Sequence, residues 1–261
     1  MVGGPFCRGD VKAMIVDAHS HIGYSRVFSA GVTEEQLLQT MEANAIDASL
    51  VMPAAASDPV PTHDAIARLA ENRPGHIFGI VSMTPLIGEE AYEREFRRCI
   101  TQHGFKAVKI HPLAHAVAPN AAVCDIVFHL ASEFKIPVMI HTGLGVPFAL
   151  PSLIIPRARE YPDLTIIQAH AGFAVYTSEA IIVSQECPNV YLEPSWCSAG
   201  DIKRMVSMFG ARKVMYGGDL PFNVPVELCK YRSMGLTDEE RDMCLGGTAI
   251  DVFKLPREMG A

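Results

Sequence analysis

The sequence predicts a single α/β domain of the (β/α)8 or TIM-barrel class. The chain has 261 residues, which fits a fold that typically takes about 250. Eight apolar runs each end just before a turn, six of them in a polar residue, and segments of helical spacing separate them. A strand followed by a helix, repeated in this way, favours a parallel sheet closed into a barrel. The runs cover residues 13–19, 48–52, 77–83, 106–111, 137–141, 165–170, 190–193 and 214–219.

The segments between the runs carry helix signals. Thr33 and Gln36 have the spacing of a capping box, and Thr62 is expected to cap the second helix. Apolar residues at helical spacing continue the alternation farther along the chain. We expect the later helices over residues 89–102, 120–134, 151–160, 173–185, 200–209 and 237–246.

An open, doubly wound sheet is the alternative architecture. It would require a glycine-rich, phosphate-binding loop after the first strand. Residues 17–21 read Asp-Ala-His-Ser-His at that point, which disfavours a dinucleotide-binding fold. No linker or repeat indicates a second domain, so we expect residues 1–12 to be an unstructured leader and residues 13–261 to form the barrel.

The composition narrows the range of partners. The formal net charge is −7 and no Lys/Arg cluster stands out, which argues against binding to nucleic acid or to an anionic membrane. No apolar run reaches the roughly 20 residues that a membrane span needs. Seven scattered cysteines without a CxxC pair predict reduced thiols and a cytoplasmic location. A small molecule is therefore the expected binding partner.

Histidine and aspartate side chains stand at the ends of several runs. His19 and His21 are two residues apart at the end of the first run, so alternation along a strand places them on one side. His141, His170 and Asp219 end the fifth, sixth and eighth runs. A single pair of histidines two residues apart could occur by chance. Here, however, residues from several runs are involved, and the carboxyl ends of barrel strands meet at one rim. The sequence therefore predicts a metal site there.

These motifs resemble those of the amidohydrolase superfamily, and most closely the amidohydrolase-2 group, the relatives of aminocarboxymuconate semialdehyde decarboxylase. The resemblance extends from residue 16 to residue 221. It rests on the segments Val-Asp-Ala-His-Ser-His, Val-Lys-Ile-His-Pro, Ile-His-Thr-Gly, Ala-His-Ala-Gly and Gly-Gly-Asp-Leu-Pro.

The resemblance implies roles for the strand-end residues. His19, His21, His141 and Asp219 would hold one divalent ion, for which Zn²⁺ is favoured and Mn²⁺ or Fe²⁺ are alternatives. Asp219 would accept a proton from the metal-activated water and later pass it on. His170 would stabilise an oxyanion, transfer protons or bind a second ion. The resemblance also allows a homodimer.

Lys109 has three open interpretations. In the segment Val-Lys-Ile-His-Pro it shares parity with His111, so both side chains can face inward. Dihydroorotase-like relatives carry a similar segment whose lysine is carboxylated and bridges two metals. An unmodified Lys109 would instead bind a substrate carboxylate, or form an ion pair with a carboxylate such as Asp17 or Glu193.

Three further residues are candidates for substrate binding. His111 precedes a proline at the end of the fourth run and could contact substrate or only shape the rim. Trp196 follows the seventh run and could form a pocket wall or pack in the core. Arg26 follows the first run and could clamp a carboxylate, although a solvated surface arginine is the simpler interpretation.

The sequence leaves three functions to compare. The first is a metal-dependent hydrolase of a small amide, lactone or ester. The second is a metal-dependent, non-oxidative decarboxylase of a small aromatic or unsaturated carboxylic acid. The third is a non-catalytic binding protein, which would not need these residues at one rim. A decarboxylase would be expected to place arginines against the substrate carboxylate. Only Arg26 and Arg157 are expected near the rim, so the sequence favours hydrolysis.

Overall fold

A computed structural model describes residues 13–257. Its strands form one mixed sheet of eight in the order β2-β1-β3-β4-β5-β6-β7-β8. The predicted leader over residues 1–12 lies outside the described residues, as do residues 258–261. The strands are β1 Val16–Ser25, β2 Ala30–Val32, β3 Ala48–Pro53, β4 Ile77–Ser82, β5 Ala107–Ile110, β6 Val138–His141, β7 Ile166–Ala169 and β8 Val190–Glu193.

All neighbouring strands are parallel except β2, which pairs antiparallel with β1. The eighth predicted run is not a continuous strand. It joins the two ends of the sheet through parallel bridges, from Val214 to Leu192 of β8 and from Asp219 to Ser20 of β1. The curled sheet with its helices is consistent with a TIM barrel.

Helices follow the strands as the alternation predicts. The capping box at Thr33 and Gln36 is confirmed. The predicted cap at Thr62 is wrong, because the second helix begins at Pro59, where proline suits the first turn. The helices are α1 Glu34–Asn44, α2 Pro59–Asn72, α3 Glu89–Thr101, α4 Pro112–His115, α5 Asp125–Phe134, α6 Ile155–Glu160, α7 Thr177–Glu186, α8 Ala199–Phe209, α9 Val224–Ser233, α10 Asp238–Asp242 and α11 Thr248–Phe253.

Shorter helical turns fill several of the remaining connections. A π-helix over Met243–Gly247 joins α10 to α11. None of the helices in residues 13–257 combines the length and the apolar character that crossing a bilayer requires.

The apolar side chains divide into two layers. One cluster fills the space enclosed by the strands, and it includes Ala48, Leu50 and Met52 of β3. Val51, between them in sequence, belongs to the larger cluster that packs against the helices. This alternation is what a strand with both faces buried requires. The two layers fix which strand residues can reach the mouth of the barrel.

The alternation in β1 is interrupted. Val16 and Ala18 belong to the inner cluster, whereas the register of β1 against β3 shifts between Asp17 and Ser20. Such an irregularity changes the side of the sheet that later residues face. It allows His19 and His21 to lie together although Val16 and Ala18 also point inward. The sequence predicted that this strand ends at His19. Instead, β1 continues to Ser25 and forms a hairpin with β2.

Candidate metal centre

Three of the predicted ligand residues converge at the carboxyl ends of the strands. The Nε2 atoms of His19 and His21 lie 3.1 Å apart. Oδ1 of Asp219 lies 3.2 Å from Nε2 of His21 and 3.6 Å from Nε2 of His19. Residues 200 positions apart in sequence therefore meet because the last barrel segment closes against β1. Asp219 N donates to His19 O over 2.7 Å, which fixes this contact.

Hydrogen bonds on the far side of each ring define which nitrogen faces the centre. His19 Nδ1 donates to the Glu193 carboxylate at 2.6 Å, and His21 Nδ1 donates to the Pro53 carbonyl at 3.2 Å. A neutral imidazole that donates through Nδ1 carries a lone pair on Nε2. Two lone pairs and a carboxylate oxygen thus face one another, an arrangement that a cation stabilises.

His141 supplies a further free nitrogen. Its Nε2 donates to the carbonyl of Leu144 at 2.7 Å, which leaves a lone pair on Nδ1. That Nδ1 atom is buried and has no hydrogen-bond partner among the described residues. The ring of His141 lies 4.7 Å from that of His170 and stacks on that of His111 at 4.1 Å, measured between centroids. His141 is not part of the cluster whose donor atoms all lie within 4.8 Å of one another, but it lines the same cavity, and a buried, unpaired nitrogen there fits a metal ligand.

Asp219 stands on strained backbone. Its φ is +63°, a left-handed value that is uncommon for residues other than glycine. Oδ1 faces the histidines, while Oδ2 accepts from Nε1 of Trp196 at 2.7 Å. Burial alone would raise the pKa of Asp219, but the surrounding His21, His170 and His19 side chains hold that pKa well below its usual value. Asp219 is therefore an ionised carboxylate with a defined orientation.

Lys109 lies directly beside the donor cluster. Its Nζ is 3.1 Å from His19 Nε2, and the residue is almost fully buried. Burial lowers the pKa of Lys109 to about 8, although Asp219 and Glu193 oppose that shift. Nζ of Lys109 thus contacts Nε2 of His19, the atom that faces the other two donors. Whether the amine is carboxylated, as one sequence-based hypothesis holds, stays a prediction.

His170 occupies the turn after β7 with a φ of +65°. Its Nδ1 pairs with Oγ of Ser195 at 2.7 Å, and its ring centroid lies 4.8 Å from that of His19. Burial lowers the pKa of His170 well below the usual value. A neutral imidazole adjacent to the donor cluster can exchange hydrogen bonds with a bound molecule.

Glu193 was predicted only as a possible ion-pair partner of Lys109, whereas the structure places it against His19 and His170. Besides accepting from His19, its carboxylate accepts from the backbone N–H groups of His170 at 3.3 Å and of Ser195 at 2.8 Å. Its position at the end of the seventh run was the available signal. Gly217 allows this placement, because a Cβ there would lie 2.5 Å from Oε1 of Glu193. Glycine is required where two segments approach so closely.

Two other groups of potential ligands are less suited to an ion. His19, His170 and Glu193 lie close together, but the His19–Glu193 contact is the hydrogen bond already described. His63, Glu95 and Cys99 form the other group, yet both nitrogens of His63 are engaged, one with Glu95 at 2.8 Å and one with the Ser82 N–H at 3.1 Å. Within residues 13–257 the geometry thus favours one centre, at His19, His21 and Asp219.

A cavity of about 520 Å³ opens above this centre. His111 and Trp196, two of the predicted substrate-binding residues, line it together with His141 and His170. Arg26, the third, lies exposed on the turn between β1 and β2 and is not part of the lining. The arrangement can hold a cation at the cavity floor and present a neutral histidine and a carboxylate to a bound small molecule.

The fold is shared with solved structures of several enzymes. The 5-carboxyvanillate decarboxylase from Sphingomonas paucimobilis superposes with a TM-score of 0.74 at 13% identity, covering 94% of this chain and 100% of that chain. A dihydroxybenzoic acid decarboxylase from Polaromonas sp. JS666, solved with manganese and 2-nitroresorcinol, gives 0.72 at 14% identity, covering 93% and 97%.

A third similar structure is that of an enzyme named for a different reaction. The 4-oxalomesaconate hydratase from Rhodopseudomonas palustris gives a TM-score of 0.70 at 15% identity, covering 92% of this chain and 96% of that chain. Identities this low establish a common fold and no common reaction. No curated protein matches the sequence. The amidohydrolase model of the amidohydrolase-2 group, however, matches residues 16–255, and the chain therefore belongs to the amidohydrolase family.

Proposed function

We propose that this protein is a metal-dependent, non-oxidative decarboxylase of a small carboxylic acid. The observation that carries the proposal is the single set of converging donor atoms, from His19, His21 and Asp219, at the floor of one cavity. One centre of this kind suits decarboxylation, whereas hydrolysis in the two-metal manner would need a bridging ligand and a second ion. Two of the structurally similar proteins are named as decarboxylases.

The proposed metal ligands are Nε2 of His19, Nε2 of His21, Nδ1 of His141 and Oδ1 of Asp219. Imidazole nitrogens with one carboxylate suit Zn²⁺ and also Mn²⁺, and one of the similar decarboxylases was solved with manganese. A divalent ion bound there would polarise the oxygens of a substrate carboxylate or hydroxyl group.

The side chains of this protein would then position the acid and move one proton. Decarboxylation breaks the bond between the carboxyl carbon and its neighbour, leaves the electron pair on the neighbour, and releases CO2. A proton must be delivered to that carbon. Asp219 and His170 both line the cavity beside the donor cluster. Because Asp219 is ionised and His170 is neutral, we assign to this pair the relay of a proton taken up from solvent to that carbon. The apolar walls exclude water, which strengthens the interactions at the floor.

Hydrolysis of an amide, lactone or ester is the second candidate. The observation that favours it is the position of Lys109, whose Nζ lies 3.1 Å from a proposed ligand atom of His19. A carboxylated lysine at that point could bridge to a second ion beside His170. Decarboxylation is nevertheless preferred here because two of the structurally similar proteins are named as decarboxylases, although no arginine among the described residues lines the cavity.

A product assay separates the two reactions. Protein loaded with Mn²⁺ or Zn²⁺ would be incubated with aromatic acids carrying ¹³C in the carboxyl group, beside a panel of lactones, esters and amides. We expect release of ¹³CO2 that is lost in the variants Asp219→Asn and His170→Asn. The variant His129→Asn, at an exposed histidine on α5, is the matched control. Hydrolysis without CO2 release would establish the second candidate instead.

A cytoplasmic location and a small-molecule substrate also belong to this proposal. The six cysteines in the described part of the chain are free thiols, and five of them are buried. Reduced thiols are typical of the cytoplasm. A homodimer stays a prediction.

A further inference from the structure

The cavity above the candidate metal centre is apolar from its walls to its rim. Its charged and titratable side chains, among the described residues, lie at the floor with Asp219. The uncharged polar side chains away from the floor are those of Ser25 and Gln36. The large apolar side chains of the wall are contributed by the β1–β2 hairpin, by the loops after β6, β7 and β8, and by the segment after Asp219. They are Phe28, Val32, Leu144, Phe173, Trp196 and Phe222.

No lysine or arginine within residues 13–257 lines this cavity. Lys109 lies beneath it and contacts His19. Arg26 is exposed on the hairpin turn. Arg157, which the sequence offered as a rim arginine, instead bonds to the carbonyls of Pro119 and Ala121 and to acidic side chains outside the cavity. The walls therefore hold no cation that could bind an anionic group of a substrate.

Charge at the floor admits one negative group. The buried Lys109 ammonium and the buried Glu193 carboxylate, which both contact His19, offset each other. A divalent ion and the Asp219 carboxylate then leave one positive charge, which a single substrate carboxylate balances. A second carboxylate on the same molecule would extend into the apolar wall. Placing an unpaired charge there has a large desolvation cost without a compensating ion pair.

We infer that the substrate is a monocarboxylate with an apolar, ring-sized or larger body, and that dicarboxylates are rejected. This inference rests on the proposed function, since it takes the carboxylate to sit at the metal centre. The volume of about 520 Å³ falls in the range of small-molecule pockets and leaves room beyond one ring for apolar substituents. Phe173 and Trp196 stack at 5.6 Å and offer a flat face to an aromatic body.

Two acids of nearly equal shape test the charge preference. 4-Isopropylbenzoate and terephthalate differ in that an isopropyl group replaces the second carboxylate. Calorimetric titration of the Mn²⁺-loaded protein should give at least about tenfold weaker binding of terephthalate. The sole tryptophan of the chain, Trp196, lies in the wall, so quenching of its fluorescence reports that the acid has entered the cavity.

A variant with a cation in the wall supplies the second arm. Phe222 lines the cavity and is 68% exposed, so arginine fits there without disturbing the core. The change Phe222→Arg should strengthen terephthalate binding by about tenfold and leave 4-isopropylbenzoate no tighter. Val175→Arg is the matched control, because Val175 is 81% exposed and does not line the cavity. It should change the affinity ratio by less than about twofold.

The outcomes separate this inference from the proposed reaction. Equal or tighter binding of terephthalate to the unmodified protein would overturn the inference, as would no binding of either acid. An unchanged ratio in Phe222→Arg, or equal effects of the two arginine variants, would also overturn it. Binding is measured without turnover. Absence of CO2 release would thus remove the decarboxylase proposal while leaving the charge preference in place.

Discussion

The indole nitrogen of Trp196 lies 2.7 Å from Oδ2 of Asp219, the carboxylate whose Oδ1 faces the two histidines of β1. Both residues have left-handed backbone, with φ of +69° at Trp196 and +63° at Asp219. The backbone N–H of Trp196 donates to Glu227 at 2.8 Å, which holds the strained loop in place. Trp196 thus links the cavity wall to the orientation of the carboxylate at its floor.

Replacing Trp196 by phenylalanine should impair turnover more than binding. The change keeps an aromatic ring in the wall but removes the donor to Oδ2. A hydrogen bond to a charged group contributes about 1.5–3 kcal/mol, and each 1.4 kcal/mol corresponds to about tenfold. We expect kcat for CO2 release to fall at least about tenfold while KM changes little. Phe173→Leu is the control, since it alters the wall without touching Asp219, and it should affect chiefly KM. An unaltered kcat in Trp196→Phe would refute the positioning role.

Metal content should follow the donor atoms assigned above. We expect about one divalent ion per chain by elemental analysis, and a lower Tm after chelation because the ion binds only the folded state. His21→Asn and His141→Asn should each weaken metal binding by at least about 100-fold, since loss of an outer partner alone costs about 10–100-fold. His129→Asn should keep full occupancy. Full metal content in His141→Asn would show that its unpaired Nδ1 is not a ligand.

Glu193 should tune the metal site without binding the ion. Its carboxylate accepts from His19 Nδ1 at 2.6 Å and so favours the tautomer with a free Nε2. Glu193→Gln keeps an acceptor oxygen but removes the charge, and we expect metal affinity to fall about 10–100-fold. Glu95→Gln is a matched control because Glu95 is also a buried carboxylate bonded to a histidine, His63. Equal metal affinities in the two variants would contradict this role for Glu193.

Glu95 should contribute to stability in a pH-dependent way. Burial alone would raise the pKa of Glu95, but hydrogen bonds from His63 and Arg98 lower it from 4.5 to about 2. A carboxyl whose pKa is lowered in the folded state stabilises the protein above its unfolded pKa, and this contribution is lost as the pH falls from about 4.5 to about 2.

The variant Glu95→Gln should therefore lower the free energy of unfolding by about 2 kcal/mol at pH 7. The difference from the unmodified protein should shrink as the pH falls below 4.5. Urea denaturation at pH 7 and pH 3.5 measures both effects. Glu90→Gln changes an exposed carboxylate on the same helix and should have almost no effect. A constant difference at both pH values would argue against the lowered pKa.

Sequence periodicity predicted most of the parallel strands and helices, because the spacing of apolar residues reflects which side chains of a strand or helix are buried. Alternating apolar residues and turn signals identified β3 to β8, and strand-end polar residues identified His19, His21 and Asp219 as neighbours in space. Among the helices, α9 was not predicted and the expected cap at Thr62 was wrong. Among the strands, the prediction was incomplete at two places. The last barrel segment bonds to its neighbours at isolated positions, and β1 continues into a hairpin. Neither feature has a strong local signal.

The sequence by itself predicted the class of fold, the family and the residues that meet at the candidate metal centre, since strand ends in a barrel meet at one rim whatever the loops do. Tertiary structure alone decided how those residues are used. Glu193 meets His19 across 174 residues, and Phe28 and Phe222 reach one cavity from opposite ends of the chain. The pairing of distant side chains depends on barrel closure and on loop conformation, and no short-range pattern encodes either.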